Sequence, residues 1–188
     1  TAYLAEYGAD LIVLATDQRK GGPQWLNRSV ATSVSCKSRE MILFLPKDIA
    51  GFVSPNDGAI SLGNVLIPVA PIPSAQPAVH AAARLVSGLH CESGLFTLLH
   101  VGEEKAMPSV ACPEVAGWRW NRMTKSGAVI EGIHQIAREI NADLIAMTTD
   151  GRNGLLDALR GSHSERVLRE ACCPVLTIPV DGWMATVL

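Results

Sequence analysis

Residues 148–162, TTDGRNGLLDALRGS, contain two glycines and a serine whose spacing could hold a phosphate group. Gly151 can form a turn with positive φ, and Gly161 would let a phosphate approach the backbone closely. Ser162 adds a hydroxyl donor at a predicted helix start, where free backbone N–H groups and the helix dipole attract anions. The same spacing also fits a simpler structural role, in which Gly151 serves only a turn and Ser162 only caps a helix.

The start of this segment has a counterpart near the beginning of the chain. ADLIVLATDQR (9–19) aligns with ADLIAMTTDGR (142–152) at an offset of 133 positions, and LFLP (43–46) then falls on LTIP (176–179). About a third of the positions are identical over roughly forty residues, which is more than chance gives without a gap. The first unit therefore corresponds to the C-terminal half of the second. About seventy residues that would complete it are expected before Thr1.

This alignment divides the chain into four parts. Residues 1–46 form the C-terminal half of a degenerate unit, and residues 64–180 form a complete unit. Between them, residues 47–63 are rich in Gly, Pro, Asn, Asp and Ser and are predicted to be a linker. Residues 181–188 are predicted to be a tail.

The second unit alternates apolar strands with helices. Strands are predicted at 64–70, 95–101, 118–125, 142–149 and 174–180, and helices at 74–89, 127–140 and 161–172. This alternation predicts an open parallel α/β sheet with helices on both faces. In such sheets a ligand binds beyond the carboxyl ends of the strands, where the strand order reverses.

Composition narrows the classes of partner and cellular compartment. The formal net charge is −2 with no basic run, so neither nucleic acid nor a membrane surface is expected as a partner. No apolar run reaches the ~18–20 residues of a membrane span, and no signal peptide is visible. The five cysteines lack zinc spacing, which favours reduced thiols and a cytoplasmic location.

Four segments of the second unit carry a family resemblance. They are NVLIPVA (64–70), LLHV (98–101), INADLIAMTTDGRNGLLDALRGSHSERVL (140–168) and CCPVLTIP (172–179). Together they resemble the universal stress protein family, and the first unit resembles the end of the same domain. The resemblance implies a five-stranded parallel sheet of order 3-2-1-4-5 and, in one branch of the family, a loop of the form Gly-xx-Gly-x9-Gly-Ser/Thr that binds ATP or AMP.

Carried onto this chain, the resemblance places the phosphate side of a nucleotide site on five residues. Thr148 stands at the first glycine position of the loop, Gly151 at the second and Gly161 at the third. Ser162 and His163 follow. One of the three glycines of the family pattern is therefore missing.

The resemblance also implies a nucleoside side. Apolar contacts with the adenine would come from Pro68, Val101 and Met147, and Ala70 stands where binding members of the family have an Asp. A lost hydrogen bond of this kind costs about 1–3 kcal/mol, or one to two decades in affinity. The neighbouring His100 is expected to be a satisfied core or rim histidine.

The first unit departs further from the family pattern. Its three glycine positions are Ala15, Gln18 and Arg28, and only Ser29 matches, so no nucleotide is expected there.

The resemblance places dimer contacts on the last strand of the unit. Residues 41–46 are therefore expected to pair with 174–180, either within the chain or as part of a homodimer. The strand near residues 9–15 would then leave one edge of the sheet bare.

Three functions remain open at this point. The first is a cytoplasmic universal stress protein that binds ATP or AMP, with Mg²⁺ accompanying ATP and no permanent cofactor, as a sensor or regulator. The second is an interaction module of the same family that has lost nucleotide binding, for which Thr148 and Ala70 argue. The third is an enzyme of the wider adenine-nucleotide hydrolase group, with at most slow ATP hydrolysis, because no catalytic base or nucleophile is evident.

Overall fold

The computed structural model describes residues 8–16, 40–47, 49–149 and 163–180. The strands in these ranges are β1 (Leu11–Thr16), β2 (Met41–Pro46), β3 (Asn64–Pro68), β4 (Gly94–Val101), β5 (Trp118–Lys125), β6 (Leu144–Thr149) and β7 (Val175–Pro179). The helices are α1 (Gln76–Gly88), α2 (Val129–Glu139) and α3 (His163–Glu170), with a short 3-10 turn at Glu104–Ala106.

All seven strands form one sheet, in the order β1-β2-β7-β6-β3-β4-β5. Strands β3 to β7 are parallel and lie in the expected 3-2-1-4-5 order of the second unit. The expectation of a five-stranded sheet needs correction, because β1 and β2 extend the same sheet to seven strands. β2 pairs antiparallel with β7, as expected for residues 41–46 and 174–180.

The contact between β2 and β7 is centred on two equivalent residues. Leu43 lies opposite Leu176, its counterpart at the offset of 133 positions. On either side, Ile42 pairs with Thr177 and Phe44 pairs with Val175. Val175 is the counterpart of Ile42 and Thr177 is the counterpart of Phe44, so the two flanking pairs are equivalent. An approximate twofold axis therefore passes through the Leu43–Leu176 pair, the geometry of an isologous interface formed here within one chain.

Helices cover both faces of the second unit, as the alternating pattern predicts. α1 lies against β6 and β7 on one face, where Ala78, Ala82 and Val86 are buried among the strand side chains. On the other face, α2 and α3 pack against each other and against the sheet. Ile133 of α2 and Leu168 of α3 are buried in that layer. Each face thus has its own apolar core, and the sheet lies between them.

Helix α1 starts later than the sequence indicates. The prediction of 74–89 with Ser74 as the cap is wrong at its beginning, because the helix starts at Gln76 and Ala75 occupies the N-cap position. Pro77 lies in the first turn, where its missing N–H costs no helical hydrogen bond. Ser74 still acts locally, since its Oγ accepts a hydrogen bond of 3.3 Å from the Gln76 N–H.

The segment predicted as a linker is partly folded onto the sheet. Ser54 N–H donates to Ala59 O and Ser61 N–H donates to Phe52 O, both at 2.8 Å, which closes a small hairpin. Phe52 and Leu62 are buried in the same core as α1. The linker therefore contributes apolar side chains that pack between the two units, and it is not a simple spacer.

Asp143, just before β6, fastens β6 to the start of β3. Its Oδ2 accepts hydrogen bonds from the Gly63 N–H at 2.9 Å and the Asn64 N–H at 2.8 Å. We expect Asp143→Ala to lower the free energy of unfolding by about 2 kcal/mol, because two backbone donors lose a charged acceptor. Urea denaturation measures the change.

The repeat supplies a matched control for this substitution. Asp10 is the equivalent residue in the first unit and is exposed. Asp10→Ala should therefore leave stability within about 0.5 kcal/mol of the wild type. Equal losses in the two variants would show that the Asp143 contacts do not hold the strands together.

Candidate functional site

The sheet opens at the carboxyl end of β3, the central strand of the second unit. β3 lies between β4 and β6, so the strand order reverses around it. Pairing of β3 with β4 continues as far as Pro68 and Leu99, whereas pairing of β3 with β6 ends at Leu66 and Ile145. The two strands part beyond that point. An opening at a reversal of strand order is where ligands bind in open α/β sheets.

We call this opening the crevice and define it by the residues at the three strand ends. Residues 68–70 border it from β3, residues 100–102 from β4, and residues 147–149 from β6. Because these strands are parallel, the three segments lie together at the carboxyl ends of the strands. The crevice is therefore built from distant parts of the sequence held by the central hydrogen-bonded strands.

Five of the predicted site residues lie at these carboxyl ends. Pro68 and Val101 are half-buried, Met147 and Thr148 are buried, and Ala70 is exposed. Pro68 is the last residue of β3 and Val101 the last of β4, so both are fixed by the strand pairing. The structure thus brings the predicted nucleoside side together.

The predicted phosphate side is described only at its ends. Gly151, Gly161 and Ser162 lie outside the described residues. Thr148 is in β6, and His163 is the first residue of α3.

His100 contributes a polar atom that the sequence did not reveal. Its side chain is 7% exposed, and Nδ1 lies 3.0 Å from the Val69 carbonyl oxygen. A carbonyl only accepts, so Nδ1 is the donor in this contact. Nε2 is buried without a hydrogen-bond partner among the described residues. The expected satisfied histidine is therefore satisfied at one nitrogen only.

Nε2 of His100 points towards the turn that follows β4. A Cβ at Gly102 would lie 2.7 Å from this nitrogen, so the absence of a side chain there gives the imidazole its room. In the sequence, an ionisable residue within the otherwise apolar run LLHV is the signal that could have marked this atom.

Thr148 supplies a second unsatisfied group at the crevice. Its side chain is 8% exposed, and its Oγ1 is buried with no hydrogen-bond partner among the described residues. A buried polar atom without a partner is costly, and it is usually matched by a ligand, by water or by a neighbouring group. Side chains alternate along β4 and β6, so His100 and Thr148 lie on the same face as Leu98 and Ala146, in the core that includes α1. Val101 and Met147 lie on the other face, so the two unpartnered polar atoms are on the α1 side of the sheet.

Other kinds of site find no support in the described residues. No cluster of three or more His, Cys, Asp or Glu side chains able to hold a metal ion occurs there. Among the same residues, no helix is long and apolar enough to cross a membrane.

Helix α3, which follows the predicted phosphate loop, packs over a buried histidine of α2. His134 is 2% exposed, and neither ring nitrogen has a hydrogen-bond partner in the described structure. Burial lowers the pKa of His134. The Glu170 carboxylate, the Arg166 backbone and the Glu131 carboxylate act in the opposite direction, and Arg138 adds to the lowering. The folded state therefore favours the neutral ring.

This burial makes stability depend on pH. An unfolded histidine titrates near 6.5, above the pKa of folded His134. Below that pH the unfolded chain binds more protons, so the contribution of His134 to stability is complete above about pH 6.5 and is lost as the pH falls. We expect wild type to lose more stability than His134→Leu between about pH 7.5 and about pH 5.

Urea denaturation of both proteins across this range measures the difference. Parallel curves would show that His134 is not buried in its neutral form.

The comparison with family models identifies one region of the chain. Residues 119–179 match the model of the universal stress protein family. This match runs from β5 to β7 and includes both described ends of the predicted phosphate loop. This region of the chain is similar to the universal stress protein family.

Curated relatives agree with this classification. A universal stress protein of Methanocaldococcus jannaschii is 44% identical over 52 residues, which are 28% of this chain and 31% of the relative. The chain spans only about a third of the length of the curated relatives that it matches.

A solved structure supports the fold. A universal stress protein from Archaeoglobus fulgidus superposes with a TM-score of 0.68 at 21% identity, over 93% of this chain and 62% of that one. A family protein from Arabidopsis thaliana with AMP bound is 19% identical over 62% of this chain and 91% of its own, with a TM-score of 0.42. Likeness at this distance concerns the fold alone.

Proposed function

We propose that this chain is a universal stress protein that binds an adenine nucleotide, ATP or AMP, weakly in the crevice and acts as a cytoplasmic sensor or regulator. The observation that carries the proposal is the opening between β3 and β6, at the strand-order reversal. The crevice is bordered by the apolar residues Pro68, Val101 and Met147, and a mainly apolar lining is usual in a small-molecule site.

Weak binding follows from two departures from the family pattern. Ala70 brings no polar side chain to the end of β3, so a nucleoside lacks the carboxylate that the resemblance implies. Thr148 carries a side chain where the loop pattern has glycine, which restricts how closely a ligand can approach the backbone.

The first experiment is a direct search for bound and added nucleotide. Freshly purified protein is denatured, and its supernatant is analysed by mass spectrometry for AMP, ADP and ATP. ATP with Mg²⁺ and AMP alone are then titrated by calorimetry. Binding with a Kd between about 1 μM and about 1 mM supports the proposal, and no heat at millimolar ligand contradicts it.

A glycine-to-glutamate pair localises the site. Gly161→Glu places a carboxylate in the predicted phosphate loop, and we expect it to abolish binding by repelling the phosphates. Gly88→Glu is the control, because Gly88 ends α1 and an added Cβ meets nothing within 4 Å. Equal affinity of the two variants would place the nucleotide elsewhere.

A second candidate function is an interaction module without nucleotide binding. Ala70 and Thr148 favour it, since both remove features of the family's nucleotide site. In that case the calorimetry shows no heat, and Gly161→Glu behaves as wild type in every assay. Turnover of ATP is not expected under either function, beyond slow hydrolysis.

A further inference from the structure

The first unit exposes a strand that its counterpart in the second unit keeps inside the sheet. β1 and β6 share the sequence ADLI around their first residues and are equivalent at the offset of 133 positions. β6 has β7 on one edge and β3 on the other, whereas β1 pairs with β2 and ends the described sheet. Among the described residues, one edge of β1 therefore has no strand paired with its backbone N–H and C=O groups.

The side chains of β1 are uncovered as well. In β6, Leu144 and Ala146 are each 0% exposed and lie in the core that includes α1. Val13, the equivalent of Ala146, is 53% exposed. Leu11 is only partly buried, and Ala15 is exposed. The same sequence pattern is thus packed under a helix in one unit and open to solvent in the other.

An apolar groove lies over this face, with a volume of about 740 Å³. Val13, Leu43 and Leu45 of β1 and β2 line it on the sheet side. Phe52 and Ile60 of the linker hairpin line it as well. Isolated apolar side chains are common on surfaces, but a contiguous groove of this size indicates a contact site.

The second unit shows what occupies the equivalent position. There the sheet side chains are Ala146, Leu176 and Ile178, and α1 packs on them. The buried side of α1 is built from small residues such as Ala78 and Ala82, which allow the helix to approach the sheet closely.

We propose that the free edge of β1 and the groove bind a strand–helix segment of the same kind as residues 64–88, supplied by other polypeptide. Its apolar strand would pair in parallel with β1, as β3 does with β6. Its helix would place a stripe of small residues on Val13, Leu43 and Leu45. One segment would then fill both parts of the surface: its strand would pair with the free edge of β1, and its helix would cover the groove.

Two observations favour this occupant over a second copy of the chain. The Archaeoglobus fulgidus structure matches 93% of this chain over 62% of its own length, so the same fold occurs together with further polypeptide. A second copy that paired through β1 would close the edge, but it would bring another exposed Val13 to the interface and no helix for the groove. Such a pair would leave the apolar face uncovered.

A peptide with the sequence of residues 64–88 is the probe. Labelled with fluorescein and titrated with the full chain, it should give a saturable rise in anisotropy. Val13→Asp should weaken binding at least about tenfold, because the helix would bury a carboxylate. Ile72→Asp is the control, since Ile72 is 83% exposed and lies outside the groove. It should bind as wild type.

Hydrogen exchange gives a second readout that needs no variant. Amides of Leu11–Thr16 should exchange more slowly when the peptide is bound, because the edge gains hydrogen bonds. No saturable binding up to about 1 mM peptide, or no added protection, would overturn the proposal.

Two alternatives give different results. A peptide that merely displaced the chain's own residues 64–88 would bind Val13→Asp as well as wild type, which contradicts the proposal. Sedimentation of the protein alone tests self-association. A dimer that disappears in Val13→Asp would assign the surface to a second copy, and the strand–helix occupant would be wrong.

Discussion

Replacement of Phe96 by alanine is expected to lower the free energy of unfolding by about 4 kcal/mol. Phe96 is fully buried in β4, with its ring centroid 4.1 Å from that of Trp120 and 4.5 Å from that of Trp118. The substitution removes both aromatic contacts and leaves a cavity on the α1 face of the sheet. In a chain of this length, the corresponding fall in Tm is about 8–16 °C.

Urea denaturation followed by tryptophan fluorescence, together with thermal melts, measures this loss. Phe96→Leu is the matched variant, because it keeps much of the buried volume and should cost less than half as much. Ile72→Ala is the surface control, since Ile72 is 83% exposed. A loss below about 1 kcal/mol for Phe96→Ala would show that residue 96 is not packed between the tryptophans.

The strand framework could be predicted because its signals are local and repeated. β2 has the bounds expected from the alignment of 43–46 with 176–179, and its pairing with β7 followed from the resemblance. Helix α1 was less accurate at its start, since Ser74 matches a cap by residue type while Pro77 shifts the first turn. Helix starts depend on backbone geometry that a single polar residue does not determine.

Burial of β1 could not be predicted from its own residues. Leu11 and Val13 belong to the same repeated pattern as Leu144 and Ala146, yet only the latter two are completely buried. Local sequence specifies a strand, whereas burial depends on which other segments pack on it. That β1 has no strand on one edge among the described residues was nevertheless expected, because the first unit contains no counterpart of β3.

The candidate site was predictable in its positions more than in its hydrogen bonding. Pro68, Val101 and Met147 lie at one edge because parallel strands end together, which a strand assignment already implies. The hydrogen bonding of His100 depends instead on the Val69 carbonyl, because Nδ1 donates to that oxygen and Nε2 is left without a partner among the described residues. Contacts between residues 31 positions apart in the chain leave no local pattern in the sequence.

Ala70→Asp is expected to strengthen binding of ATP and AMP by one to two decades. The resemblance implies a carboxylate at this position that accepts a hydrogen bond from the nucleoside, and such a bond contributes about 1–3 kcal/mol. Ala70 is exposed, and its bridge to Ser74 involves the backbone, so the new side chain should not disturb the fold. Calorimetry with each nucleotide measures the decrease in Kd.

Ala116→Asp provides the matched control for the added charge. Ala116 is exposed just before β5, at the amino ends of the parallel strands and so at the edge opposite to the crevice. A negative charge alone disfavours a phosphate ligand, so this variant should bind no better than wild type. Tighter binding confined to Ala70→Asp therefore identifies a specific hydrogen bond.

The remaining outcomes separate the two candidate functions. If wild type binds and Ala70→Asp gives no gain, the nucleoside does not lie over the end of β3, and the ligand orientation proposed here is wrong. If neither protein binds at millimolar nucleotide, the restored carboxylate is insufficient, and Thr148 in the first glycine position becomes the obstacle. Ala70→Asp combined with Thr148→Gly then restores the residue of the family pattern at both positions. Failure of that double variant would leave interaction with other polypeptides as the function of this fold.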